Sequence, residues 1–155
     1  DEDTYQVLIN PGFEINPRII QITGITNEML VDGMALEPAM KGLIDFIGDS
    51  KIVAHNAEFD ILWLITIAQK LKLALQENTV ICTLKWAKAS NEGRCSLGAL
   101  TRKYKIGHAN AHRALADSAA TKELFFIYEN LNASPRPEEP FSDYLQKANE
   151  LVVPA

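Results

Sequence analysis

With 155 residues, 47% of them hydrophobic, the chain is long and apolar enough to bury a core of its own, which excludes wholesale disorder. Its formal net charge of -5 excludes a protein that coats nucleic acid through a broad basic stripe, although phosphate can still be held through metal ions. Cys82 and Cys95 form no CxxC pair and read as reduced thiols of a cytoplasmic protein; the longest apolar run, Ile61 to Ala68, contains Thr66 and is too short for a bilayer, so no membrane role follows.

Taken in order, Tyr5-Gln6-Val7-Leu8-Ile9-Asn10 predicts a strand closed by the Pro11-Gly12 turn. An irregular segment from Ile15 to Ile25 follows, in which Gly24 permits torsions that bring backbone close to a ligand. Thr26 opens a short helix to Leu30, and a second helix carries Pro38 in its first turn with Met40, Leu43, Ile44 and Ile47 on one face. Lys51 to Ala54 is a β-branched run expected to be a buried strand. It leads into a helix from Ala57 to Leu73 that is apolar almost all round, with Trp63 in the core. Thr79 to Cys82 predicts a strand, Thr83 to Ala89 a helix with Trp86 in the core, and Ser96 caps a helix through Tyr104. From Asp117 the apolar positions Ala120, Leu124, Phe125, Tyr128 and Leu131 mark the inner face of a further helix. The three prolines between Asn132 and Pro140 suggest a linker, and Ser142 to Leu151 a terminal helix. Alternating strands and helices point to an α/β core with a parallel component. The expected division is a domain over residues 1–131 and a linker with a short helix over 132–155.

Two stretches carry candidate chemistry. In His112-Arg113-Ala114-Leu115-Ala116-Asp117 a histidine precedes by five residues an aspartate in the first turn of a helix. Negative charge is favoured at a helix N-terminus for purely structural reasons. The nearby imidazole, titrating near neutral pH, adds a second possibility: a general base beside a carboxylate able to hold a divalent cation. In Ala54-His55-Asn56-Ala57-Glu58-Phe59-Asp60 a strand gives way to a helix within three residues, where α/β sheets usually bind ligands. Asp60 heads an apolar helix, and a carboxylate in such company is costly unless paired or bound to metal. Asn56 suits either a helix cap or a substrate contact. Phe59 suits either the core or a stacking face for a terminal base. His55 and His108 read as structural or surface residues, and Glu58 as a solvated charge.

In sequence order these pieces resemble the DEDD exonucleases of the histidine branch, typified by the proofreading epsilon subunit of bacterial replicative polymerase. Ile22-Thr23-Gly24-Ile25-Thr26-Asn27-Glu28-Met29-Leu30 is similar to that family's ITGIT-x-E-M-L stretch, Ala54 to Asp60 to its second catalytic motif, and His112 to Asp117 to its H-x-A-x-x-D motif. The resemblance covers most of residues 5–131. It implies a ribonuclease H-like three-layer fold with a mixed central sheet, and 3′-5′ exonuclease activity on a nucleic acid 3′ end, with single-stranded DNA as the expected substrate. It further implies two divalent metal ions, Mg²⁺ or Mn²⁺, bound by Asp60 and Asp117, with His112 as the base. Asn56, Phe59, Thr23, Gly24 and Ile25 are the substrate contacts it suggests.

The chain departs from the family at the first motif, D-x-E-T, which belongs upstream of the Pro11-Gly12 turn; Asp1-Glu2-Asp3-Thr4 imitates it only superficially. Asp60, Asp117 and one phosphate supply too few oxygens and too little negative charge for two divalent cations. The expectation is therefore a fold lacking its N-terminal strand or strands, a further N-terminal segment in the complete active protein, and weak or no activity in these 155 residues alone. Two alternatives stay open: an RNA-trimming exonuclease of the same fold, and a non-catalytic exonuclease-fold module that docks a polymerase or other replication partner. The segment after Asn130, with the helix at Ser142 to Leu151, suits a simple terminal extension better than a tether for a polymerase subunit, although it allows either.

Overall fold

The computed structural model describes residues 3–107, 113–131 and 134–151, and the chain divides into two compact units, Asp1–Gly48 and Asp49–Ala155. Among the described residues the first unit holds three helices, α1 (Pro17–Thr23), α2 (Asn27–Val31) and α3 (Leu36–Ile47). Helix α1 falls where an irregular segment was expected. Its signal is local: Asn16 accepts a hydrogen bond from Arg18 N, Pro17 stands at the first helical position, and Gly24, at φ 66°, closes the helix by donating to Ile20 O. Thr26 caps α2 through Met29 N, as its sequence predicts. Tyr5 to Asn10 does not form the expected strand. A strand requires a partner ladder, and the described part of this unit offers one parallel bridge, Ile9 to Met34, with Asn10 N donating to Met34 O and Met34 N to Leu8 O.

The second unit is built on a mixed three-stranded sheet ordered β1 (Ile52–Ala54), β2 (Thr79–Cys82), β3 (Glu138–Pro140). β1 and β2 run parallel with Ala54 opposite Cys82, and β3 joins β2 antiparallel. Helices α4 (Ala57–Lys70) and α8 (Phe141–Leu151) pack together over one face of the sheet. On the other side Ile81 meets Trp86 and Ala87 of α5 (Thr83–Ala89), Leu100 of α6 (Leu97–Tyr104), and Ala120, Leu124 and Tyr128 of α7 (Ala114–Leu131). The central strand is thus covered on both faces, which explains why Val80, Ile81 and Cys82 are all buried. β1 lies at an edge and is only half buried, less than its β-branched sequence suggests.

Three further expectations are corrected. Glu138–Pro140, placed by its prolines in a linker, is sheet: the edge position tolerates proline, and Lys51 Nζ and Lys85 Nζ hold Glu138 and Glu139 at 2.8 and 2.5 Å. Leu131 is 54% exposed, because α7 reaches past its last packing partner at Tyr128. Trp63 is 45% exposed, whereas Trp86, at 2%, is core as expected. Helix α4 is therefore not buried all round: Ile61, Leu64, Ile65 and Ala68 face inward, while Phe59, Trp63, Thr66 and Lys70 face water. Among the described residues no helix is long and apolar enough to cross a membrane.

Candidate active site

The parallel register builds the site. Because Ala54 lies opposite Cys82, the residues that follow, His55 and Thr83, leave the same edge of the sheet side by side. His55 Nε2 stands 2.9 Å from the Cys95 carbonyl and Nδ1 2.9 Å from Thr83 Oγ1. A carbonyl only accepts, so Nε2 carries the proton and Nδ1 accepts from the Thr83 hydroxyl. Burial lowers the His55 pKa, and the hydrogen bond to Cys95 opposes that shift in part. The neutral imidazole thereby ties β1 to the start of α5 and to the loop before α6. Glu92 anchors that loop in turn, accepting from Lys103 Nζ at 2.5 Å and from the Tyr104 hydroxyl.

Against this clamp lies a cavity of about 430 Å³ lined by Val53, Ala54, His55, Asp60, Leu97, Ala114, Asp117, Ser118 and Thr121. Asp60 stands in the first turn of α4 and Asp117 in the first turn of α7, so two helix N-termini and two carboxylates border one space. Positive helix ends favour carboxylates and phosphates alike. Asp60 is solvent-accessible as a residue, which corrects the expectation of a carboxylate submerged in apolar company. Protein packed about its carboxyl nevertheless raises its pKa, and a hydrogen bond from its own backbone offsets this only in part. Among the described residues no ion pair neutralises it.

Asn56 occupies the cap position of α4 at φ 68°, ψ 50°, with no side-chain capping bond and an exposed side chain. The cap it was expected to provide is therefore not made, and its amide remains available to another group. Phe59 is 70% exposed, which removes the core alternative and leaves a ring open to solvent. Thr23, Gly24 and Ile25 belong to the first unit. There the Thr23 hydroxyl donates to Ile19 O at 2.8 Å and accepts from Ile25 N at 3.1 Å, a closed local arrangement around the left-handed Gly24. His112, with His108, lies outside the described residues, as do Asp1 and Glu2. Sequence reasoning missed Leu97, Ser118 and Thr121 as cavity walls. Thr121 alone carried a signal, being four residues beyond Asp117 on the same helix face.

The family model described as Exonuclease (RNase_T) matches residues 1–125. A Mycobacterium tuberculosis protein that bears the name bifunctional exonuclease/endonuclease is 32% identical over 124 residues, covering 77% of this chain and 19% of that protein. DNA polymerase III PolC-type of Staphylococcus aureus is 34% identical over 125 residues, covering 79% of this chain and 9% of the polymerase. The chain thus spans a fifth or less of the length of these curated relatives. Among solved structures, exonuclease X in complex with 5′ overhanging duplex DNA is similar with a TM-score of 0.60 and 26% identity, over 82% of this chain and 73% of that one. The mixed sheet with helices on both faces is the ribonuclease H-like fold of exonuclease X, and the chain belongs to the exonuclease family.

Proposed function

We propose that this chain is the exonuclease domain of a metal-dependent 3′-5′ exonuclease, of the histidine branch typified by the polymerase epsilon subunit, that trims DNA to nucleoside monophosphates in proofreading or repair. One observation carries the proposal: Asp60 and Asp117, distant in sequence and on different helices, line the same cavity. The relation to a PolC-type polymerase and to a DNA-bound exonuclease supports DNA as substrate. A cytoplasmic setting fits the same reading.

The donor chemistry fits a hard divalent cation. Two carboxylates face one space, and Asp60, its pKa raised by the protein around it, gains from a neighbouring positive charge. Asp60 and Asp117 would hold the ion. When bound, Mg²⁺ or Mn²⁺ lowers the pKa of water and neutralises phosphate charge. His112 takes the proton of the attacking water, and Asn56 and Phe59 orient the terminal nucleotide; Thr23 to Ile25, in the first unit, are proposed as substrate contacts on the motif resemblance alone. Water oxygen bonds to phosphorus, the 3′ oxygen of the preceding nucleotide leaves and is protonated, and a 5′-monophosphate departs.

A second reading, a non-catalytic module that docks a polymerase, is favoured by the donor count. Among the described residues no group of three His, Cys, Asp or Glu is placed to hold a metal, and two carboxylates do not fill two octahedral shells. Digestion of 5′-labelled single-stranded DNA and RNA by the full-length protein with Mn²⁺ separates the readings. The exonuclease reading expects stepwise shortening from the 3′ end, slowed at least about 100-fold by His112→Ala and by Asp117→Asn. Equal degradation by wild type and variants refutes the residue assignment. No degradation by the full-length protein favours the docking module, whereas inactivity of these 155 residues alone is expected under either reading.

A further inference from the structure

The outward face of α4 carries a feature that the cavity does not use. At 100° per residue, Phe59, Trp63 and Lys70 fall within about 40° of one another around the helix, and Trp63 stands about 60° from Asp60. These three side chains and Thr66 form an exposed stripe without a carboxylate on a chain whose net charge is -5. Its two rings are 70% and 45% exposed, whereas the other tryptophan, Trp86, packs on Phe125 and Tyr128. Lys70 makes no ion pair among the described residues, although Lys147 on the neighbouring helix pairs with Glu58.

We infer that this stripe is a rail for single-stranded nucleic acid, on which Trp63 stacks against a base behind the terminal nucleotide and Lys70 meets a backbone phosphate farther along. The inference rests on the proposed exonuclease reading. Continuity with the cavity favours this occupant, since the stripe begins beside Asp60. Phe59 and Trp63 are about 6 Å apart along the axis and Trp63 and Lys70 about 10 Å, so each meets a different nucleotide. Aromatic stacking tolerates any base, as repeated trimming of a strand requires. Beyond Asp60 at its cavity end no acidic side chain lies along the stripe, so phosphate meets less repulsion there than the net charge of the chain suggests.

Tryptophan emission of the 155-residue chain in EDTA, where no hydrolysis occurs, provides the test. Hexathymidylate quenches Trp63, while the same concentration of thymidine monophosphate, too short to reach the rail, does not. By anisotropy of a labelled oligonucleotide, Trp63→Ala weakens binding about ten-fold, Trp63→Phe restores it, and Lys70→Ala lowers the logarithmic salt slope by about one. Circular dichroism establishes that the variants are folded. Wild-type binding that is absent, or unchanged in Trp63→Ala, overturns the rail, as does quenching by the mononucleotide alone. A protein segment covering the stripe gives that same negative result, with Trp63 emission already blue-shifted. The two proposals fail separately. Quenching of the 155-residue chain with no cleavage by the full-length protein in Mn²⁺ sinks the exonuclease reading and keeps the rail, whereas cleavage by the full-length protein with a KM insensitive to Trp63→Ala sinks the rail alone.

Discussion

His55→Ala tests the clamp beside the cavity. The substitution removes the donor to Cys95 O and the acceptor of the Thr83 hydroxyl, each bond 2.9 Å long. Thr83 is fully buried, and its hydroxyl has one replacement partner in reach, Ala54 O at 3.4 Å. Two hydrogen bonds contribute about 1 kcal/mol each, so with the lost ring packing the expected destabilisation is about 2–3 kcal/mol. A pH signature accompanies it. Burial depresses the folded-state pKa of His55, so on acidification the unfolded chain takes up a proton that the folded chain refuses. Stability is therefore full above the unfolded value of about 6.5 and falls as pH drops below it toward the folded pKa. Salt-bridged carboxylates such as Glu138, whose pKa is lowered chiefly by its hydrogen bond from Lys51, act at lower pH, below the ordinary carboxylate range. Urea unfolding followed by circular dichroism between pH 7.5 and 5.5 measures both effects. A loss under about 0.5 kcal/mol, or an acid slope that survives in His55→Ala, refutes the clamp.

Leu124→Ala empties a fully buried position between Ile81, Trp86 and Leu100, and the expected cost is about 3–4 kcal/mol in urea unfolding. Asn56 sits at φ 68°, so Asn56→Ala is expected to cost about 1 kcal/mol and Asn56→Gly almost nothing. If the Asn56 amide contacts substrate, Asn56→Gly nevertheless raises KM on the labelled strand while leaving the unfolding midpoint in place. The Tyr128 hydroxyl is buried without a hydrogen-bond partner among the described residues, so Tyr128→Phe is expected to leave stability unchanged or raise it by about 1 kcal/mol, read as a shift in thermal midpoint.

Elements governed by local rules were legible in the sequence. Helix α5 matches Thr83–Ala89 as expected, α8 begins one residue early, and Ala120, Leu124 and Tyr128 form the inner face of α7. Misreadings arose where partners decide. Tyr5 to Asn10 has strand composition but only one bridge, and Glu138 to Pro140 has linker composition yet pairs with β2. Trp63 shows the same limit within one helix: hydropathy placed it inward, but periodicity alone does not reveal how much of an apolar helix its neighbours cover. The motif residues were legible one by one. That Asp60 and Asp117 border a common cavity was implied by the family resemblance and not by the residue pattern, because it depends on α7 packing against β1.

The geometry of that cavity follows from one short ladder. β1 has three residues, and its pairing with β2 fixes where α4 begins, since only His55 and Asn56 separate Ala54 from Ala57. The left-handed turn at Asn56 lets the chain reverse into a helix within that distance, a conformation asparagine adopts more readily than most residues. Asp60 is thereby placed by sheet register, whereas Asp117 is placed by helix packing. His55 joins the two determinants: it leaves the same strand that positions Asp60, and its bond to Cys95 restrains the segment leading into α6, on which α7 packs. Disturbing this imidazole should accordingly displace the two carboxylates relative to each other, which is why a half-buried histidine outside the proposed proton-transfer step lies at the mechanical centre of the site.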